Sequence, residues 1–167
     1  MKTTQPKAII IMGVSGSGKT TIGELLSSKT NIPFADGDSF HPQENIDKMV
    51  AGHPLNDQDR LGWLQEINKF CTKNIKQGKS CIVACSALKQ SYRAILQNGI
   101  EEQMVFVYLL GTFELIQERL GKRKSHFMPA SLLKSQFEAL QPPKDAITVD
   151  IDNTPTAIVE KIMEQLP

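Results

Sequence analysis

The chain has 167 residues, of which 40% are hydrophobic and 22% charged, and this predicts one soluble globular domain spanning residues 1–167. The formal net charge of +1 predicts neither nucleic acid nor an anionic membrane as a partner. The apolar runs are too short to cross a bilayer, and the N-terminal segment is too short and polar for a signal peptide. Three cysteines without zinc-site spacing predict reduced thiols and a cytoplasmic location.

Short apolar runs alternate with helical patterns, which predicts βαβ units and a parallel sheet. In chain order we expect strand Ala8–Met12, helix Thr20–Lys29, strand Ile32–Ala35, helix Asp59–Gln77, strand Cys81–Ala84, strand Val105–Leu110, helix Phe113–Lys122, helix Pro129–Leu140, strand Ile147–Val149 and helix Thr156–Leu166. The helix over 59–77 is the clearest, because its apolar residues recur at spacings of three and four. Asp57 is expected to cap this helix and Gly78 to end it.

The most specific motif lies between the first strand and the first helix. Gly13-Val14-Ser15-Gly16-Ser17-Gly18-Lys19-Thr20 fits the phosphate-loop pattern G-x-x-x-x-G-K-[ST]. Glycines let the backbone approach an anion closely, and the amides at the helix N-terminus then face the phosphates of a nucleotide. This predicts that residues 13–20 and Thr21 bind ATP, that Lys19 reaches the β- and γ-phosphates, and that the Thr20 hydroxyl ligates Mg²⁺.

Two carboxylates, Asp36 and Asp38, follow the second predicted strand. Ligands of open α/β sheets bind beyond the carboxyl ends of the strands, so these side chains are expected beside the phosphate loop. One carboxylate can hold Mg²⁺ while the other accepts the proton of an attacking hydroxyl. We assign Asp36 to the metal and Asp38 to the base; the alternative is a solvated Asp-Gly turn.

The polar segment over 45–60 predicts a cover for an acceptor that carries hydroxyls and a carboxylate. Arg60 is the expected carboxylate partner, because a guanidinium forms bidentate pairs. Asp57 and Asp59 either hold sugar hydroxyls or only cap the following helix. Lys89 and Arg93 lie one turn apart if they share a helix, and their charges then face an anionic substrate or solvent.

A basic segment follows the fourth predicted strand and contains Arg119, Arg123 and His126. Cations on a flap over the nucleotide would neutralise charge that develops on the transferring phosphoryl group. The alternative is a charged surface helix.

Several segments beyond the phosphate loop resemble the gluconokinase family of small P-loop carbohydrate kinases. They are Asp36-Gly37-Asp38, His41-Pro42, Lys48-Met49, Asp57-Gln58-Asp59-Arg60, Trp63-Leu64, Cys85-Ser86-Ala87-Leu88-Lys89, Tyr92-Arg93, His126-Phe127-Met128 and Ser135-Gln136. The phosphate loop is shared by many families, whereas these segments together are specific. The chain departs mildly from the family pattern at Gln141-Pro142, because the family resembles Glu-Pro at these two positions.

The resemblance implies phosphorylation of D-gluconate by ATP at the 6-hydroxyl, and a tendency to form homodimers. It implies a three-layer P-loop fold like those of adenylate and shikimate kinases, with a five-stranded parallel sheet and a lid around 119–137. The implied catalytic residues are Lys19, Asp38, Arg119 and Arg123. The implied gluconate contacts are Asp38, His41, Lys48, Asp57, Arg60, Lys89 and His126, with Arg60 on the carboxylate by analogy with shikimate kinase.

Without the resemblance, the residues indicate only a small-molecule P-loop kinase. Its acceptor is then gluconate, a shikimate-like acid or a nucleotide. A nucleotide-binding switch is a further alternative, since Asp59-Arg60-Leu61-Gly62 fits D-x-x-G. That match lies inside a predicted helix, and Asn68-Lys69-Phe70-Cys71 has Cys where guanine recognition requires Asp.

Overall fold

A computed structural model describes residues 5–121 and 130–167 of the chain. In these residues five parallel strands form one sheet in the order β2-β3-β1-β4-β5. The strands are β1 (Ala8–Met12), β2 (Phe34–Asp36), β3 (Cys81–Ala84), β4 (Met104–Leu110) and β5 (Ile147–Asp150). The helices are α1 (Lys19–Thr30), α2 (Gln43–Val50), α3 (Asp57–Lys76), α4 (Gln90–Gln97), α5 (Phe113–Gly121), α6 (Ala130–Ala139) and α7 (Pro155–Gln165), and a 3₁₀ turn covers Gly37–Phe40. The predicted α/β fold with a five-stranded parallel sheet is confirmed.

Strand β1 lies at the centre of the sheet and is buried on both faces. Ile10 packs in a core cluster with Leu64 of α3 and Leu96 of α4. Ile9 points to the opposite face and packs in a second cluster with Leu26 of α1. Because helices cover both faces, the strand reads as a continuous apolar run rather than an alternating one. The two helical layers therefore hold the end of β1, and the phosphate loop that follows it, in a fixed place.

Strand β2 differs from its predicted bounds, since it begins at Phe34 and ends at Asp36. Pro33 has no N–H to donate to a strand ladder, although its carbonyl accepts a hydrogen bond from the Ile82 amide at 3.0 Å. The regular pairing accordingly starts at Phe34, which lies opposite Ile82. As a result Asp36 belongs to the strand itself.

Helix α3 begins two residues earlier than predicted, and its N-cap is Asn56 rather than Asp57. The Asn56 side chain accepts a hydrogen bond from the Asp59 amide at 2.8 Å, and the Asp59 carboxylate accepts one from the Asn56 amide at 2.9 Å. This reciprocal capping box satisfies two amides at the helix start. The predicted cap at Asp57 was wrong, whereas Gly78 follows the helix end with φ 73° as expected.

Helix α2 was not among the predicted elements, and α4 was anticipated only as a strand-to-helix junction over residues 86–93. Each has eight residues and starts without a side-chain cap hydrogen bond. Both helices are amphipathic, but they span only about two turns, a shorter stretch than the roughly 11–18 residues over which a helical period is read from sequence. The segment over 45–60 therefore contains most of α2 and the start of α3.

The three cysteines, Cys71, Cys81 and Cys85, are free and buried, so the predicted thiols are confirmed. In the part of the chain that the structure describes, no helix combines the length and apolarity needed to cross a membrane.

Candidate active site

A cavity of about 670 Å³ opens at the carboxyl edge of the sheet. Its walls include Lys19 of the phosphate loop, Asp38 after β2, Arg60 of α3, Lys89 after β3 and Gln136 of α6. The loops after β1 and β3 start side by side, because the Cys85 amide donates to the Ile11 carbonyl at 3.0 Å. Residues from five separate stretches of the sequence thus face one cavity.

The phosphate loop has the backbone that an anion cradle needs. Gly16 and Gly18 adopt φ values of 82° and 96°, a left-handed region that side chains rarely enter. Gly18 is the N-cap of α1, so the amides of the first turn point out of the helix end. Lys19 Nζ donates to the carbonyls of Gly13 and Val14 at 3.1 Å each, which lays the lysine along its own loop. Thr21 is exposed on the first turn of α1 and lies outside the cavity lining.

Thr20 and Asp36, the predicted metal ligands, lie together. The Thr20 hydroxyl donates to Asp36 Oδ2 at 3.4 Å. The other carboxylate oxygen of Asp36 accepts from the Asp38 amide at 2.9 Å, which fixes the plane of the carboxylate. One hydroxyl and one carboxylate fit a Mg²⁺ ion that takes its other ligands from phosphates and water.

The turn after β2 presents Asp38 to the cavity. Trp63 Nε1 donates to the Gly37 carbonyl at 2.8 Å. His41 stacks on the Trp63 ring at 4.2 Å between centroids and 16° between planes. The Asp38 side chain is exposed and lines the cavity. Trp63 therefore acts as a wall that orients the turn carrying Asp38 and His41.

His41 is held as a neutral ring. Burial lowers its pKa below the ordinary value, a nearby Asp38 charge opposes that shift, and the Arg60 charge adds to it. Asn45 Nδ2 donates to the Asp59 carbonyl at 2.9 Å and also meets His41 Nδ1 at 3.2 Å. His41 Nδ1 is thus the acceptor, and Nε2 carries the ring proton. A neutral imidazole of this kind can donate one hydrogen bond to a sugar hydroxyl.

Lys48 forms an ion pair with Asp59. The hydrogen bond from Lys48 and that from the Asn56 amide hold the Asp59 pKa below its ordinary value. Lys48 and Asp59 both lie outside the cavity lining. The structure thus uses Asp59 as a helix cap and as the partner of Lys48.

A cluster at the far wall contains Arg60, Lys89, Tyr92 and Asp57. Arg60 and Lys89 line the cavity, with side chains 32% and 34% exposed. Asp57 is 68% exposed and lies outside the lining, where Lys89 Nζ approaches its Oδ1 at 3.4 Å. Sequence reasoning gave Tyr92 no role, although Tyr92-Arg93 is one of the segments that carry the family resemblance.

Known proteins resemble this chain over nearly its whole length. The family model described as shikimate kinase matches residues 15–167. The thermosensitive gluconokinase of Escherichia coli K12 is 43% identical over 93% of this chain and 84% of its own. A probable gluconokinase of Mus musculus is 41% identical over 96% of this chain and 98% of its own.

The chain belongs to the gluconokinase family. The crystal structure of a gluconokinase from Sinorhizobium meliloti 1021 agrees, with a TM-score of 0.86 and 39% identity over 96% of this chain and 91% of that one. Family and fold are thus established by full-length relatives.

In this member of the gluconokinase family, Arg93 does not face the cavity as predicted. Only 7% of the residue is exposed, and its guanidinium donates to the carbonyls of Ala87 at 2.7 Å and Gln141 at 2.7 Å. The prediction failed because α4 starts at Gln90, so Lys89 precedes the helix. Gln141 also accepts at its side chain from the Gln90 amide and donates from its backbone to the Leu88 carbonyl.

Of the predicted flap cations, Arg119 lies at the end of α5 and donates to the Ile151 carbonyl at 2.6 Å, outside the cavity lining. This bond braces the loop after β5. Arg123 and His126 lie outside the described residues.

Gln136 is a second site residue that the sequence motifs did not mark with a role. The Ser15 amide donates to Gln136 Oε1 at 2.7 Å, and Gln136 Nε2 donates to Ser15 Oγ at 2.9 Å. These two residues are 121 positions apart, so only the tertiary fold reveals the contact. It fixes α6 against the phosphate loop.

Proposed function

We propose that this protein transfers the γ-phosphoryl group of ATP to the 6-hydroxyl of D-gluconate, giving 6-phospho-D-gluconate and ADP. The observation that carries the proposal is the cavity, in which the phosphate loop faces Asp38, His41, Arg60 and Lys89. Membership of the gluconokinase family supports the choice of gluconate.

On the donor side, the amides of the phosphate loop receive the phosphates and Lys19 turns from its own loop carbonyls toward them. Thr20 and Asp36 are placed to hold Mg²⁺, which when bound neutralises charge on the phosphate oxygens. Positioning and electrostatic stabilisation are the main demands of phosphoryl transfer, and these residues meet both.

On the acceptor side, Asp38 accepts the proton of the 6-hydroxyl as that oxygen attacks the γ-phosphorus. His41 donates from Nε2 to a sugar hydroxyl. Arg60 and Lys89 receive the carboxylate at the far end of the open-chain sugar acid. A six-carbon acceptor with charge at one end and its reacting hydroxyl at the other suits this separation of roles.

We further propose that the segment around 119–137 is a lid that shields the reaction from water. Arg119 and Arg123 would stabilise charge on the transferring group, and His126 would contact gluconate. The position of Leu120 and Gln136 in the cavity wall supports this role for the segment.

The test is the rate of ATP consumption with D-gluconate, shikimate, AMP or glucose, and with no acceptor. We expect turnover with gluconate alone. Turnover with shikimate would assign the acceptor that the matching family model names. A slow rate that ignores the acceptor would contradict kinase function and favour a nucleotide-binding switch.

We also propose a cytoplasmic homodimer. The three free thiols suit a reducing compartment. Sedimentation of the purified protein checks the dimer: a mass near twice 18.5 kDa is expected, and a monomer at working concentration would contradict it.

A further inference from the structure

The Tyr92 ring lies close to Arg60 and Lys89, the two cations of the far wall, which we call the acceptor wall. The Arg60 guanidinium carbon is 5.6 Å from the centre of the Tyr92 ring, and Lys89 Nζ is 5.5 Å from it. At these distances the negative face of an aromatic ring attracts a cation. The ring is mostly buried, with 6% of the residue exposed, so it offers a fixed platform.

The Tyr92 hydroxyl both donates and accepts a hydrogen bond. It donates to Asp57 Oδ1, and it accepts from Arg60 Nη1 at 3.2 Å. A carboxylate can only accept, so the hydroxyl proton points to Asp57 and the oxygen lone pair is left for Arg60. One N–H of Arg60 is thereby fixed on Tyr92, and the guanidinium keeps four other N–H groups, by its chemistry, for other partners.

Asp57 lies outside the cavity lining and accepts hydrogen bonds from both Tyr92 and Lys89. Its pKa is lowered first by the hydrogen bond from Tyr92 and then by that from Lys89, so the group is ionised at neutral pH. With Arg60 and Lys89 charged and Asp57 ionised, the cluster carries one net positive charge. That charge matches an acceptor with a single carboxylate.

We propose that Tyr92 is a positioning residue that fixes Arg60 and Lys89 toward the acceptor carboxylate, with Asp57 orienting its hydroxyl. The proposal rests on the proposed function, since it assumes a carboxylate-bearing acceptor. It assigns Asp57 an indirect role in place of direct sugar binding. Selectivity for an acid over a neutral polyol then depends on one phenolic hydroxyl.

The test compares wild type with Tyr92→Phe, which keeps the ring and removes the hydroxyl. We expect the gluconate KM to rise about tenfold, as for loss of one hydrogen bond to a charged group, with the ATP KM unchanged. The kcat/KM ratio of D-gluconate to D-glucitol, the neutral polyol of the same length, should fall by a similar factor. Tyr108→Phe, the other tyrosine of the chain, is the matched control and should change neither quantity.

A double-mutant cycle separates positioning from packing. In an Arg60→Ala background, Tyr92→Phe should change the gluconate KM by less than about twofold, because Arg60 is the cation that the lost hydroxyl contacts and the ring beside Lys89 is kept. A full tenfold effect in that background would overturn the proposal. So would an unchanged gluconate KM in Tyr92→Phe alone. A wild-type protein without gluconate turnover would overturn the proposed function as well, so the two failures are distinguishable.

Discussion

At the scale of single residues, Gly37 shows how closely the site is built against the sheet. A Cβ at Gly37 would lie 2.1 Å from the Ala84 carbonyl oxygen, well inside van der Waals contact. The backbone would have to move, and Asp36 and Asp38 flank it on either side. The missing side chain is therefore what allows both carboxylates to sit beside the end of β3.

We predict that Gly37→Ala lowers the free energy of unfolding by about 1–3 kcal/mol, the usual cost of overpacking, and lowers kcat at least tenfold. Urea unfolding and steady-state kinetics measure the two effects. Gly62→Ala is the matched control, because a Cβ there meets open space on α3; it should stabilise the protein by about 0.5–1 kcal/mol. Normal kcat in Gly37→Ala would show that the carboxylates tolerate displacement.

His41 gives a pH dependence with a defined sign. Its pKa in the folded protein lies below the ordinary value of 6.5 because burial disfavours the charged ring. As the pH falls through 6.5 toward the folded pKa, the unfolded chain binds more protons than the folded one, so stability is lost. His41→Phe keeps the stack on Trp63 and removes this proton uptake.

We expect the urea midpoint to fall less between about pH 7.5 and pH 5.5 in His41→Phe than in wild type. The control is His53→Phe, at an exposed position, which should preserve the wild-type pH dependence. An identical decline in His41→Phe would assign the acid sensitivity to other groups.

At the scale of elements, the start of α3 joins stability to acceptor binding. The capping box of Asn56 and Asp59 fixes the first turn, and that turn carries Asp57 and Arg60. A frayed turn would loosen both side chains. The N-cap of α7, Thr154, accepts a comparable hydrogen bond from the Ala157 amide at 3.2 Å, on a helix that contributes no residue to the cavity lining.

Asn56→Ala and Thr154→Ala should each lower the free energy of unfolding by about 1 kcal/mol. Only Asn56→Ala should raise the gluconate KM, by about threefold or more on the same energy scale. Thermal unfolding and acceptor kinetics check the pair. A raised gluconate KM in both variants would attribute the effect to general instability.

The sequence predicts long and strongly patterned elements well, and contacts between them poorly. The run of β1 and the period of α3 are local signals, and both were found. The helices α2 and α4 were not delimited from the sequence, because each spans only eight residues. Arg93 was misplaced because its partners are backbone carbonyls, one of them 48 positions away. The phosphate-loop glycines were predictable because backbone chemistry demands them, whereas the contact of Gln136 with Ser15 depends on the packing of α6.

At the scale of the whole molecule, the phosphate loop and the Arg60–Lys89 wall belong to one cavity, and α6 with the residues after it contacts both. Gln136 on α6 contacts Ser15 of the phosphate loop. Gln141, just beyond the helix, bonds to Leu88 and Gln90, the neighbours of Lys89 on the acceptor wall. These contacts give a short physical route between the two walls through α6 and Gln141.

From this connection we predict that α6 couples the binding of the phosphoryl donor to the binding of the acceptor. If gluconate tightens the binding of a non-hydrolysable ATP analogue by a given factor, the analogue must tighten gluconate binding by the same factor. We expect a factor of about five or more by calorimetry. Gln136→Ala should reduce it, and Lys134→Ala, exposed on the same helix, should preserve it. If gluconate tightens binding of the ATP analogue as much in Gln136→Ala as in wild type, residues other than Gln136 carry the coupling. Coupling of the expected size would make ATP bind more tightly when the acceptor is bound, which would limit hydrolysis of ATP in the absence of an acceptor.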